Sequence, residues 1–373
     1  MLSYIKPQWS ALCSGVERSE STGHRYIGLD LLRGLAALVV VFKHFKTRLD
    51  LPYLAPNGYL AVDFFFVLSG FVIASAYQRQ LRDGSLTTTA FLGKRLIRLL
   101  PLIVMGATVA AILEFGRMDL DQTQHMRDVA IAFVFGVTVL PILQTSLLHT
   151  PTLDQSVFPL NTPTWSLFFE IFANAAFALC ARLKLYSGAL LAVVFVSGIW
   201  LLFAIASAGT VNFGFNPNGF WWGFPRVVWS FSVGLLIYRY SSFAPKHIFI
   251  PASVLLIVVL MSPDTGLPKA LVDTIVVMIL MPAIVFACLN ADLDPFTRRC
   301  AIWSGNLSYP IYAVHYPLVH LFSFLAKGMN FSPLLQLAVA VIGTAVIVGF
   351  SAIAYVAFDV PVRRRLSLLS KGS

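Results

Sequence analysis

The chain has 373 residues, 58% of them hydrophobic and 12% charged, with a mean hydropathy of +0.78. Soluble domains run nearer half apolar and a quarter charged, so a soluble fold is excluded and a polytopic membrane protein is indicated. The net charge of +10 does not point to nucleic acid, because Lys and Arg gather in short segments between apolar runs, where they set membrane orientation.

Residues 1–27 carry Lys6, Arg18 and Arg25 beside Glu17 and Glu20 and have no apolar core. They read as a cytoplasmic N-terminal segment and not as a cleaved signal. Windows long enough to cross about 30 Å of hydrocarbon follow at 28–48, 58–78, 96–115, 129–148, 164–183, 188–207, 220–239, 247–262, 270–290, 306–326 and 333–358. Arg79, Arg82, Lys94, Arg95 and Arg98 place the segment after the second window in the cytoplasm. Arg182 with Lys184, Arg298 with Arg299, and the tail with Arg363, Arg364, Arg365 and Lys371 are placed there too. Loops 149–163 and 208–219 hold neither Lys nor Arg and are placed outside.

Three crossings between the segment at 79–95 and the turn at 182–187 contradict this assignment, so one window is not a plain span. Window 129–148, broken by Gly136 and Pro141, is predicted to re-enter or to lie in the interface, which is tolerable where protein or a watery cavity covers the backbone. The expectation is an all-α transmembrane helical bundle of ten spans plus that segment, with both termini cytoplasmic. The integral-membrane domain covers 28–363, and 364–373 form a short tail.

The first window carries Asp30, Arg33 and His44 inside an apolar run. Arg33 and His44 are about three turns and roughly 16 Å apart at helical pitch and return to nearly the same face. Either Asp30 and Arg33 form a structural ion pair while His44 snorkels at the interface, or the three belong to a site, since ionisable groups within spans are costly and mark function. Carboxylates also interrupt the second and fifth windows, at Asp63 and Glu170. Cys13, Cys180, Cys288 and Cys300 are far apart and form no metal-ligand or redox spacing, so no metal is expected.

Motifs recur along the chain in order. They are Leu29-Asp30-x-x-Arg33-Gly34 continuing to His44; Gly58-x-x-x-Val62-Asp63-Phe64-Phe65-Phe66-x-x-Ser69-Gly70-Phe71; Lys94-Arg95-x-x-Arg98-x-x-Pro101; Pro163-x-Trp165-Ser166-Leu167-x-x-Glu170; and Leu307-Ser308-Tyr309-x-x-Tyr312-x-x-His315-x-Pro317. Together they resemble the membrane-bound acyltransferase 3 family, the O-acetyltransferases of surface polysaccharides and related acceptors, over about residues 28–363. Two departures are modest. The family's closing Glu-x-Pro-x-Arg stands here as Asp359-x-Pro361-x-Arg363, and Ala313 replaces the usual Leu before the late His.

The resemblance implies transfer of an acyl group, usually acetyl from acetyl-CoA, to a hydroxyl of a cell-surface glycan or lipid-linked sugar at the cell inner membrane. A small secondary metabolite such as a macrolide is the next acceptor. The partners would be membrane lipids, acyl-CoA, the glycan and a separate polysaccharide-assembly protein.

A hydroxyl must lose its proton as it attacks a thioester, and imidazole suits a base near neutral pH, so His44 is the candidate base. Arg33 would pair with Asp30, bind a CoA phosphate or polarise the acyl carbonyl. Asp63 or Glu170 would orient His44, as an acid orients the base of a hydrolase triad, or neutralise a buried arginine. Lys94, Arg95 and Arg98 would hold the donor's phosphates, for which arginine is the better fork, though topology alone also produces such clusters.

Trp165 and Ser166 read as packing and capping groups; no Gly-x-Ser-x-Gly turn surrounds Ser166, which argues against an acyl-enzyme there. Tyr309, Tyr312 and His315 share a helix face, His315 as a packing or hydrogen-bonding partner. The aromatic loop from Asn212 to Trp222 stacks sugars or anchors the interface. A proton-coupled transporter or flippase would use the same charges as a path, but no pair of correspondingly broken helices in two repeat halves is visible.

Overall fold

Every apolar window is helical over at least part of its length in the computed structural model, which describes residues 25–116, 122–150, 153–183, 188–263, 266–329 and 331–372. The expectations for residues 1–24, including Cys13, and for Lys184 lie outside these. The helices are α1 (Ile27–Leu49), α2 (Ala61–Asp83), α3 (Thr88–Phe115), α4 (Gln122–Val137), α5 (Thr164–Arg182), α6 (Gly188–Ala208), α7 (Gly223–Arg239) and α8 (Phe249–Met261). They continue with α9 (Lys269–Ile275), α10 (Met281–Ala287), α11 (Pro295–Gly328), α12 (Pro333–Ala354) and α13 (Val360–Gly372).

Local chemistry sets several boundaries. Thr87 caps α3 by accepting from the Ala90 N–H at 3.1 Å, and Asp294 caps α11 ahead of Pro295 at its first position. Single π turns, Val276–Leu280 and Tyr355–Asp359, join α9 to α10 and α12 to α13. Each ends two residues before a proline, Pro282 or Pro361, whose missing N–H breaks the regular ladder.

Among the described residues seven helical stretches are long and apolar enough to cross a membrane: Gly58–Asp83, Thr88–Phe115, Thr164–Arg182, Gly188–Ala208, Phe220–Arg239, Lys269–Ala287 and Pro333–Ser370. The protein is thus an all-α, multi-pass membrane protein. The outer surface of α6 is a band of exposed Leu191, Phe195, Ile199 and Phe203, as a lipid-facing helix requires. Helices α1 and α11 are long enough to span but carry more polar groups. They lie side by side in parallel, Arg33 reaching Gly305 and Ser308 while His44 meets His315 further along. Their polarity is turned on each other. The approach is close: a Cβ at Gly34 would stand 1.7 Å from the Ser304 hydroxyl, and one at Gly70 of α2 would stand 2.0 Å from the Phe231 carbonyl of α7.

Window 129–148 is not one continuous helix. Helix α4 packs on α3 and ends at Val137, and the chain ahead of Pro141 leaves the helical ladder. The described part of 138–163 is irregular apart from one turn at Thr145–Leu147. Asp128 of α4 holds it by accepting from the His149 and Thr150 N–H groups at 2.7 and 2.8 Å. Further on, Ile142 donates to the Val157 carbonyl and Val157 to that of Phe215. Pro317 cannot donate to the Ala313 carbonyl within α11; Asn161 Nδ2 takes that carbonyl instead, at 2.8 Å. The proline break in α11 thereby docks the loop. Cys180, Cys288 and Cys300 are free thiols.

Candidate functional site

The C-terminal half of α1 borders a chamber of about 710 Å³. Lys43, His44 and Arg48 of α1, Tyr59 before α2, Asp154 from the loop before α5, Trp165 of α5, Arg226 of α7, and Tyr312 and Tyr316 of α11 line it. His44 and Arg48 are four residues apart and share a helix face. The His44 ring lies 5.2 Å from that of His315 and 4.9 Å from that of Tyr316, the latter edge-on at 88°. Neither ring nitrogen of His44 is hydrogen-bonded among the described residues, so its polar edge is free for a ligand.

A polar network stands behind this pair. The Tyr316 hydroxyl donates to Asp154, and Arg48 donates to the Tyr316 oxygen at 3.0 Å and to Asp154 at 2.5 Å. His320 Nε2 lies 3.4 Å from the same carboxylate. Burial pushes the Asp154 carboxyl up, but the neighbouring His320, the Arg48 charge and the Tyr316 hydroxyl outweigh it and hold it well below the usual carboxylate range. His315 is wholly buried and gives its Nδ1 hydrogen to the Ile311 and Tyr312 carbonyls at 3.1 and 2.9 Å. That geometry fixes its tautomer and leaves Nε2 a lone pair with no partner among the described residues.

The residues singled out in the sequence fall in three places. His44 is in the chamber. Asp63 and Glu170, expected to orient it, are engaged elsewhere. Both Asp63 oxygens accept from Arg226, at 2.9 and 2.7 Å, in a pair whose side chains are only 0% and 1% exposed. Arg226 also donates to the Phe213 and Tyr59 carbonyls and lies under the Trp165 ring. Glu170 accepts from Arg95 at 2.9 Å and from the Ser69 hydroxyl at 3.1 Å.

At the other end of α1, Arg33 pairs with Asp30 at 2.9 Å and donates to the Ser308 hydroxyl and the Gly305 carbonyl. Arg25 shares Asp30. The charges of Arg33, Arg95 and Arg363 lie within reach of Arg98, and Arg363 is tied to Asp359 at 3.1 Å. Lys94 and Arg98 are exposed and make neither hydrogen bond nor ion pair among the described residues. Arg95, by contrast, is committed to Glu170. Ser166 donates to the Pro163 carbonyl and meets the Tyr312 hydroxyl at 2.6 Å. The described residues contain no group of three or more His, Cys, Asp or Glu side chains that could hold a metal.

Lys43, Arg48, Asp154, Tyr316, His320 and Arg226 were not singled out. One signal was there: Tyr309, Tyr312, Tyr316 and His320 follow at spacings of three and four, a polar-aromatic stripe along α11.

The sequence model of a family described as "Acyltransferase domain" matches residues 26–356. A protein of Rhizobium radiobacter named "Protein 2 in picA locus" is 37% identical over 169 residues, 43% of this chain and 84% of its own. A provisionally named O-acetyltransferase of Staphylococcus aureus strain COL is 40% identical over 83 residues, 22% of this chain and 13% of its own length. Its counterpart in strain MSSA476 is 39% identical over the same extent. The chain thus spans only a small part of the staphylococcal proteins. No solved structure matches it significantly.

Proposed function

The chain belongs to the acyltransferase 3 family, and on that premise we propose that it is an integral-membrane O-acyltransferase moving an acetyl group from acetyl-CoA to a hydroxyl of a cell-surface glycan or lipid-linked sugar. The observation that carries this is His44, whose polar edge is free, faces a chamber walled by tyrosines and cations, and shares a helix face with Arg33 about 16 Å away.

His44 takes the proton of the acceptor hydroxyl as that oxygen attacks the thioester carbonyl. The new C–O bond replaces the C–S bond, and CoA departs as the thiolate, which regains a proton. Tyr316, anchored on Asp154 and Arg48, fixes the imidazole from one side. His315 offers its free Nε2 lone pair from another. Asp154 therefore acts on the base through Tyr316, a positioning role, while Asp63 and Glu170 hold Arg226 and Arg95. At the opposite end Lys94 and Arg98 take the donor's phosphates, with Arg33 nearby.

The chamber includes both loops that lack Lys and Arg, through Asp154, Thr162, Asn212 and Phe215. On the positive-inside argument it opens away from the cytoplasm, and the donor's pantetheine arm reaches inward along α1 to meet it. In this arrangement α1, α2, α3, α5, α6, α7, α8, α9 with α10, α11 and α12 make ten spans. Helix α4 and its loop re-enter without crossing, and both termini lie in the cytoplasm of the inner membrane.

Purified protein in lipid nanodiscs, given labelled acetyl-CoA, is expected to release CoA slowly alone and faster with a glycan acceptor. Folded protein that neither binds nor consumes any acyl-CoA contradicts the assignment.

A further inference from the structure

The chamber wall is unusually cationic for a space within a helical bundle. Lys43, Lys46, Arg48, Arg226, Lys269 and Lys327 line it, against Asp154 as the one lining carboxylate among the described residues. Four of these cations have acid partners: Arg48 with Asp154, Arg226 with Asp63, Lys269 with Asp273 and Lys327 with Asp50, the last two at 4.0 Å. Lys43 and Lys46 make neither hydrogen bond nor ion pair among the described residues, and both are half-buried.

Lys46 lies in the last turn of α1, where the helix dipole offsets part of its charge. Lys43, a turn further in, has no such compensation. Its stem packs over Gly58, and the charges that act on it are those of Lys46, Arg226, Arg48 and Asp154, mostly of its own sign. Uncompensated ammonium groups in a protected space repel one another and gain most from an anion placed between them. Tyr59, Trp165, Tyr312 and Tyr316 add aromatic surface to the same wall, the usual make-up of a site that covers a ring and fixes it with a few polar groups.

We propose that the acyl acceptor is an anionic sugar, bearing a carboxylate or a phosphate that Lys43 and Lys46 hold while a neighbouring hydroxyl meets His44. This rests on the acyltransferase reading and names its substrate class. Lys43 precedes the base by one residue, so the anion and the reacting hydroxyl belong to one sugar unit or to adjacent ones.

The test is equilibrium binding to the full chain in nanodiscs of three probes: a neutral glucose oligosaccharide, its glucuronate counterpart, and a polyprenyl diphosphate glucose, whose charge lies at the lipid linkage. At least one anionic probe is expected to bind about tenfold tighter than the neutral one, with a preference that weakens in salt. The tighter anionic probe identifies whether sugar carboxylate or linkage phosphate is read. Lys43→Gln/Lys46→Gln is expected to bring that probe within about twofold of the neutral one, and Lys43→Arg/Lys46→Arg to keep most of the preference.

Equal binding of all three probes overturns the proposal. So does a Gln double variant that keeps wild-type thermal stability and still discriminates. Acetyl-CoA turnover on the same wild-type sample separates the two readings. Turnover without charge preference overturns the anionic acceptor alone; charge preference without any acyl-CoA consumption overturns both, since the anion is then no acceptor.

Discussion

Tyr316 stands edge-on to His44, ring centroids 4.9 Å apart and planes at 88°, while its hydroxyl donates to Asp154. The contact links a side chain of α1, one of α11 and one from the loop at 138–163, so the position of the imidazole depends on three separate parts of the chain. Tyr316→Phe and Asp154→Asn are expected to lower kcat by about tenfold, less than the full general-base contribution of 10² or more. The KM for acetyl-CoA should stay unchanged, because the network does not touch the donor end. Steady-state kinetics on both variants checks this; a raised donor KM with normal kcat would contradict it.

Arg95 and Arg98 are expected to part company. Arg98 is exposed and has no ion pair among the described residues, so Arg98→Ala should raise the acetyl-CoA dissociation constant by about tenfold, the loss of one charge-assisted phosphate contact. Arg95→Ala instead strands Glu170, and the expected loss is thermal stability and yield. Isothermal titration and thermal melts on the two variants distinguish them.

The Asp63–Arg226 pair has side chains 0% and 1% exposed. Removing one member of such a pair leaves a buried charge without its counter-ion, at about 3 to 5 kcal/mol. Asp63→Ala should therefore melt well below wild type. Asp63→Ala/Arg226→Met should recover much of the loss, a comparison read directly from the thermal midpoints.

Asp154 makes the loop acid-sensitive. Its folded-state carboxyl is held below the ordinary value, chiefly by His320 and Arg48 against the opposing effect of burial. Such a group contributes stability that is fully present above its unfolded value near 3.9 and is lost as pH falls through the folded value. Thermal midpoints measured downward from about pH 7 should therefore fall for wild type below about pH 4, and Asp154→Asn should lack that component.

Much of the fold was legible because hydropathy windows report helices well, and all eleven windows fall on helix for at least part of their length. Boundaries missed where polar residues extend a helix past its apolar stretch. Helix α11 begins at Pro295, ahead of the window at 306, because its first turns carry Arg298 and Arg299 outside the apolar run. At the site, His44 and its helix face could be read from Arg33 eleven residues earlier.

The carboxylate behind His44 could not be read. Asp63 and Glu170 stand out as charges within apolar runs, yet each neutralises an arginine brought from another helix, whereas Asp154 sits in an irregular loop with no local pattern. Lys43 and Arg48 look like flanking charges at a span end, and only the fold shows that they face a chamber.

His44 is proposed as the group that moves the proton. Labelled acetyl-CoA binding and acceptor-dependent acetyl transfer should be compared between wild type and His44→Ala in the same nanodiscs. With His44 as the base, His44→Ala is expected to bind acetyl-CoA as wild type does, to melt at a similar temperature and to lose transfer by about 10² or more, the order of a general base. A folded His44→Ala that still transfers acetyl at near the wild-type rate would contradict it and place the base elsewhere.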